Sequence, residues 1–399
     1  MRKLSPGAVL LLVAAVGCAT KEETSIKIYV QQKLYDKAIA QGGQALLKNP
    51  SNGDTHYFLG AAYYGKDGDL KQEAEGYADS SEVYMRQAFA HFTKAKELSP
   101  GSWGKSVDDN IVSMFGRHFN RGVIASKKGD HAIAAAEYAL ARVADPENYQ
   151  SYYAHAGSLW PLASAAKSKG DDAEFTRITD ALITDLHEVL KLNPPERDVK
   201  VNTHTTLGEV HYKRGENEEA MKQYVKAIEL DPENYELMDT IGQRLYNLQD
   251  WPNAIKYLDE SLAIQERLNL IDTDDVETLN ALAGAQLKLG KREDAIATFD
   301  RLLKLVADDP AKKANVLYNI MVTYYKAGES AEKDGNADVA KENYNKCISC
   351  GSDLLKLEST RPEIFQVLGY CRRGIGDTAG AARDLKRFNE LRTQSSSAR

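Results

Sequence analysis

Residues 201–234 read VNTHTTLGEVHYKRGENEEAMKQYVKAIELDPEN, and this stretch decides the fold. Leu207, Gly208 and His211 form one stripe, and Ala220, Tyr224 and Ala227 form a second. Spacings of three and four residues place each set on one face of a helix. Gly215 lies between the stripes and Pro232 follows the second, both helix stop signals. The stretch therefore predicts a helix, a tight turn and a second, antiparallel helix. One such pair cannot bury its own apolar faces, so neighbours of the same build are required.

These residues resemble the tetratricopeptide repeat, a unit of roughly 34 residues with the pattern W-x2-L-G-x2-Y, then A-x3-F-x2-A, then P. Leu207, Gly208, Ala220, Tyr224, Ala227 and Pro232 match it, and His204 and His211 stand where the family prefers aromatics. The small residues let two helix backbones approach closely while a large side chain fills the space beside them. Working outward, the sixth unit follows with Ile241, Gly242, Leu245, Ala254, Leu258 and Ser261, and the seventh with Leu279, Leu282, Ala283, Gly290, Ala295 and Phe299. Ala340, Tyr344 and Cys347 mark the eighth, and Leu368, Gly369, Gly376, Ala381 and Leu385 the ninth.

Upstream the pattern is looser. A first unit covers about Ser25 to Asn52. The second opens at His56-Tyr57-Phe58-Leu59-Gly60 but delays its second helix to Ala88, Phe92 and Ala95. The surplus, Gly65 to Ser81, is expected as a projecting loop or an extension of the hairpin. The third unit has added residues before its first helix, and in the fourth Pro161 is expected to disturb the helix, with an insertion near Gly170 to Asp180. Asp-Pro-Glu-Asn-Tyr occurs twice, at Asp145–Tyr149 and Asp231–Tyr235, each time at a junction between units. The resemblance implies an all-α, right-handed solenoid of about nine helix pairs over residues 25–392, followed by an unstructured tail at 393–399.

The first residues, MRKLSPGAVLLLVAAVGCAT, combine basic Arg2 and Lys3 with an apolar run and small residues, the pattern of an export signal. Ala15-Val16-Gly17-Cys18 resembles a bacterial lipobox. That resemblance implies cleavage after residue 17, lipid attachment at Cys18, a tether at 18–24, and the periplasmic face of the outer membrane. Loss of Arg2 and Lys3 leaves 49 basic against 58 acidic residues, near −9. Such a balance argues against nucleic-acid binding and against general adhesion to anionic lipid.

No catalytic or nucleotide-binding motif is present, and no cofactor or metal is expected. The carboxylates read as solvated faces of helices. His204 and His211 read as packed side chains rather than ligands. Cys347 and Cys350 form a C-x-x-C, read as core thiols, with a disulfide to Cys371 as the main alternative.

What remains is surface. In this family the first helix of each pair lines a concave groove that binds peptides. The corresponding positions are Asn202, Thr205, Glu209, Tyr212 and Lys213 in the fifth unit, and Glu236, Asp239, Gln243, Tyr246 and Asn247 in the sixth. Tyr57, Tyr64, Phe119 and Tyr370 occupy equivalent places elsewhere; the tyrosines either line the groove or pack between helices. Thr205 with Glu209 and Asp239 with Gln243 do not match the family's carboxylate clamp, and an acidic groove is expected to prefer neutral or basic segments. The reading is a non-enzymatic adaptor of the bacterial envelope that binds other envelope proteins. Its alternatives are a structural subunit of a larger complex, or a ligand-binding or enzymatic protein using the inserted segments.

Overall fold

The computed structural model describes residues 21–72, 76–272 and 275–397. They form eighteen helices and no strand. The chain runs α1 (Lys21–Gln31), α2 (Tyr35–Lys48), α3 (Gly53–Asp69), α4 (Tyr77–Leu98), α5 (Pro100–Lys128), α6 (His131–Ala144), α7 (Tyr149–Ser168), α8 (Asp172–Lys191) and α9 (Arg197–Lys213). It continues α10 (Asn217–Leu230), α11 (Tyr235–Asn247), α12 (Trp251–Leu268), α13 (Val276–Lys288), α14 (Arg292–Leu305), α15 (Pro310–Lys333), α16 (Ala337–Leu357), α17 (Pro362–Gly374) and α18 (Thr378–Ser397). Two compact units divide between Gln223 and Tyr224, inside α10. Within each, consecutive helices pack as antiparallel hairpins.

The hairpins close where a glycine faces a large side chain. A Cβ on Gly242 of α11 would lie 2.5 Å from Leu258 Cγ of α12. Gly122 meets the Tyr138 ring, Gly328 the Tyr344 ring and Gly369 the Leu385 side chain at 2.5–2.7 Å in the same way. In each pair the partner lies sixteen residues downstream. Gly60 meets Phe92, twice that distance along the chain, at 2.7 Å. The extra residues therefore lengthen the hairpin: α3 and α4 have 17 and 22 residues. The added residues of the third unit likewise extend α5, which has 29. Gly170 to Asp180 is the turn and first half of α8 rather than a loop, and α7 continues through Pro161.

Turns and junctions follow local chemistry. Gly215 has φ 77°, and Glu216 N donates to His211 O at 2.9 Å, closing α9 with a left-handed residue. The repeated pentapeptide is a helix junction. Asn148 and Asn234 accept hydrogen bonds from Gln150 N (3.1 Å) and Leu237 N (3.0 Å), capping α7 and α11. Each also donates to the aspartate three residues before it.

Cys347 of α16 is bonded to Cys371 of α17, with Cα atoms 6.6 Å apart, so the C-x-x-C is not the disulfide pair. Cys350 is free, half-buried and donates to Leu317 O at 3.2 Å. The polar residues expected to be unstructured beyond 392 continue α18 to Ser397. Buried Leu391 docks the preceding turn, from which helix propagates one bond per residue. Residues 1–20, including the signal and Cys18, lie outside the described residues. No described helix is long and apolar enough to cross a membrane.

Gly242→Val should lower the stability of the second unit by about 1–3 kcal/mol, since the clash includes Leu258 backbone N at 3.2 Å. Thermal denaturation followed by circular dichroism checks this, and an unchanged midpoint contradicts the close-packing account.

Candidate functional site

In the second unit, first helices α11, α13 and α15 line two clefts. One, of about 300 Å³, is bounded by Gln243, Tyr246 and Asn247 of α11 with Glu277, Asn280 and Ala281 of α13. The other, of about 530 Å³, shares Tyr246 and Asn280 and is completed by Gly284, Leu287 and Lys288 of α13, Arg292 and Phe299 of α14, and Tyr318, Asn319, Val322, Thr323 and Lys326 of α15. Tyr246 lies across Gly284: a Cβ there would meet its hydroxyl oxygen at 2.7 Å. Tyr370 of α17 lies 5.9 Å from Tyr325 of α15, centroid to centroid, and accepts a hydrogen bond from Gln366 at 3.2 Å.

The expected groove residues thus fare differently. Gln243, Tyr246 and Asn247 are brought together. Asp239 is half-buried and tied down, accepting from Thr278 (2.6 Å) and Gln243 (2.8 Å), and burial pushes its carboxyl above the usual range. Glu236 is exposed.

In the first unit, Asn202 and Lys213 of α9 are exposed, Glu209 and Tyr212 are half-buried, and the Thr205 hydroxyl donates back to Val201 O. Tyr64 lies under the Arg117 guanidinium at 3.8 Å, and Phe119 packs on Phe115 and Tyr138. Tyr57 is no groove residue. It is 5% exposed and stacked on Trp103 at 3.8 Å, because α5 extends far enough back to cover it. His204 hydrogen-bonds Gln223 and His211 hydrogen-bonds Glu216. The expectation of an acidic groove fails around Lys288, Arg292 and Lys326, where the larger cleft has no carboxylate in its lining.

Family models for tetratricopeptide repeats match residues 208–237, 236–272, 278–314 and 322–349. The chain is a tetratricopeptide-repeat protein. It is 28% identical over 192 residues to DnaJ protein P58IPK homolog B of Oryza sativa subsp. japonica, covering 48% of this chain and 38% of that one. It is 31% identical over 116 residues to photosystem I assembly protein Ycf3 of Prochlorococcus marinus, covering 29% of this chain and 62% of that one. The repeat protein thus spans less than two thirds of these curated relatives' length. Among solved structures it is similar to the C-terminal part of a TPR repeat-containing protein from Cytophaga hutchinsonii (19% identity, 68% of this chain, 95% of that chain, TM-score 0.42). It is also similar to YrrB, described as a TPR protein with an unusual peptide-binding site (17%, 55%, 93%, TM-score 0.37).

The first unit of the repeat protein also holds a buried charged network that the sequence reading missed. Asp67, His118 and Glu137 are all 0% exposed. His118 bridges the two acids, with Nε2 3.1 Å from Asp67 Oδ2 and Nδ1 2.7 Å from Glu137 Oε2. Arg117 and Ser81 also donate to Asp67, and Tyr77 and Gln72 to Glu137. Arg121 donates to the Tyr77 hydroxyl at 2.7 Å. Such a network of mutually satisfied groups fixes helix register. Among the described residues no three or more His, Cys, Asp or Glu side chains gather as metal ligands. Glu137 falls between Ala134 and Ala141, and His118 four before Gly122, so both lie on buried stripes and were visible by spacing.

Burial alone would push the His118 imidazole down, but its hydrogen bonds to Asp67 and Glu137 outweigh that and raise it above 6.5. Burial would likewise raise Asp67, but the hydrogen bonds from His118 and Ser81 and the positive charges of His118 and Arg117 together outweigh it and hold the carboxyl below 3.8. The raised His118 contributes stability fully present below pH 6.5 and lost as pH rises through its folded value. The lowered Asp67 contributes stability present above pH 3.8 and lost as pH falls through its folded value. Melting of the first unit should therefore decline on the alkaline side. His118→Gln should cost roughly 3 kcal/mol or more at pH 6 by leaving buried acids unpaired, and should flatten that decline. Melting curves from pH 5 to 9 decide it; an equal alkaline decline in the variant contradicts the assignment.

Proposed function

We propose that this chain is an exported, lipid-anchored, non-enzymatic adaptor of the bacterial envelope, which holds partner segments along the first-helix face of its repeats. The observation that carries the reading is the meeting of Gln243, Tyr246 and Asn247 with α13 and α15 residues in two adjoining clefts. Aromatic rings and amides at such a face offer rigid contact area with polar tips, as recognition surfaces do. The amino-terminal run through Cys18 supports export and anchoring. The Cys347–Cys371 bond suits an oxidising compartment outside the cytoplasm. A role in assembling a larger envelope machine accords with the name of Ycf3, an assembly protein.

Chemical crosslinking in membranes, followed by mass spectrometry, tests the reading by comparing wild type with Cys18→Ser. Wild type should fractionate with the outer membrane and recover a defined set of envelope proteins that the variant loses. Identical fractionation and recovery by the two would contradict the anchored adaptor.

A further inference from the structure

The larger of the two clefts on the first-helix face gathers cations with no ion-pair partner among the described residues. Lys288 at the end of α13, Arg292 at the start of α14 and Lys326 on α15 line one cleft of about 530 Å³ with no Asp or Glu in its lining. None of the three makes an ion pair among the described residues. Some cations of the same unit are paired, Arg301 with Glu266, Lys346 with Glu342, and Arg372 with Asp377 and Asp384, and others are not. What sets these three apart is that they gather around one cleft with no acid in its lining. In a chain with 58 acidic against 51 basic residues, three uncompensated cations at one cleft stand against the overall charge. Arg361 adds positive charge at the edge, its guanidinium 3.9 Å over the Tyr318 ring and only loosely paired, at 3.8–3.9 Å, with Glu358 and Glu363.

Resting on the adaptor reading, we propose that this cleft binds an extended acidic peptide segment, with Asp or Glu side chains placed between Lys288, Arg292 and Lys326. The like charges repel one another when the cleft is empty, and carboxylates entering it relieve that repulsion. Asn280 and Asn319 supply amides beside the cations, and Tyr318 a flat contact for the segment's backbone or stems. The adjoining smaller cleft carries Glu277 instead, which repels acid and gives the groove a direction: acidic residues at the α13–α15 end, neutral or basic ones toward α11.

The test uses the full chain and three fluorescein-labelled dodecapeptides: one rich in Asp and Glu, its Asn/Gln counterpart, and a Lys-rich one, read by fluorescence anisotropy at low and high salt. The acidic peptide should bind at least tenfold tighter than either other peptide and weaken as salt rises. Lys288→Glu with Lys326→Glu should lose at least tenfold with unchanged melting. The neutral pair Lys288→Met with Lys326→Met, which keeps the aliphatic stems, should lose at least fivefold. Equal binding of the Asn/Gln peptide, or unchanged affinity in the neutral pair, overturns the proposal. If envelope proteins are still recovered by crosslinking while acid is not preferred, the charge inference alone fails. If acid is preferred but nothing is recovered, the adaptor reading fails and the cleft assignment holds.

Discussion

Everything in this protein depends on how closely two antiparallel helices can approach. At Gly122, Gly242, Gly328 and Gly369 there is no room for even a methyl group, because a large side chain sixteen residues later already fills the space. That contact fixes the register of each hairpin. It also fixes which side of the first helix is buried, and so leaves the opposite side uncovered by its hairpin partner. Dense packing makes the constraint sharp, since interiors at crystal-like density cannot absorb an added side chain without displacement.

The same constraint explains why the fold was legible in the sequence. A glycine and an aromatic or leucine at constant separation are easily read, as are positive-φ turns such as Gly215 and junctions such as Asp-Pro-Glu-Asn-Tyr. The second unit keeps the sixteen-residue spacing at Gly242, Gly328 and Gly369, even where the helices of the chain's eighth pair are longer. The longer hairpins of the first unit were harder. Gly, Asp and Ser around Gly65 to Ser81 have loop composition, yet α3 and α4 carry helix across most of it, because Tyr77, Ser81 and Asp67 are buried against neighbouring helices. Tertiary contacts outweighed local preference there.

The candidate site was legible only where side chains keep the geometry of a regular pair. Gln243, Tyr246 and Asn247 are of this kind. Tyr57 occupies a similar place by spacing, but the backward extension of α5 brings Trp103 onto it, and nothing in the periodicity of α3 announces that cover. Buried Asp67 and Glu137 were passed over because carboxylates on helices are usually solvated, although Glu137 shares a stripe with Ala134 and Ala141. The charge of the larger cleft was missed because it depends on how helices lie side by side: Lys288 comes from a helix end and Lys326 from the middle of the 24-residue α15.

The central claim is that partners are held on the first-helix face of the second unit. The most direct measurement places a photo-crosslinking amino acid at Asn247, on that face, or at Glu260, exposed on second helix α12, and irradiates cells producing each variant. The account predicts discrete crosslinked adducts from position 247 and none from position 260. Adducts from position 260 with none from position 247 would contradict it.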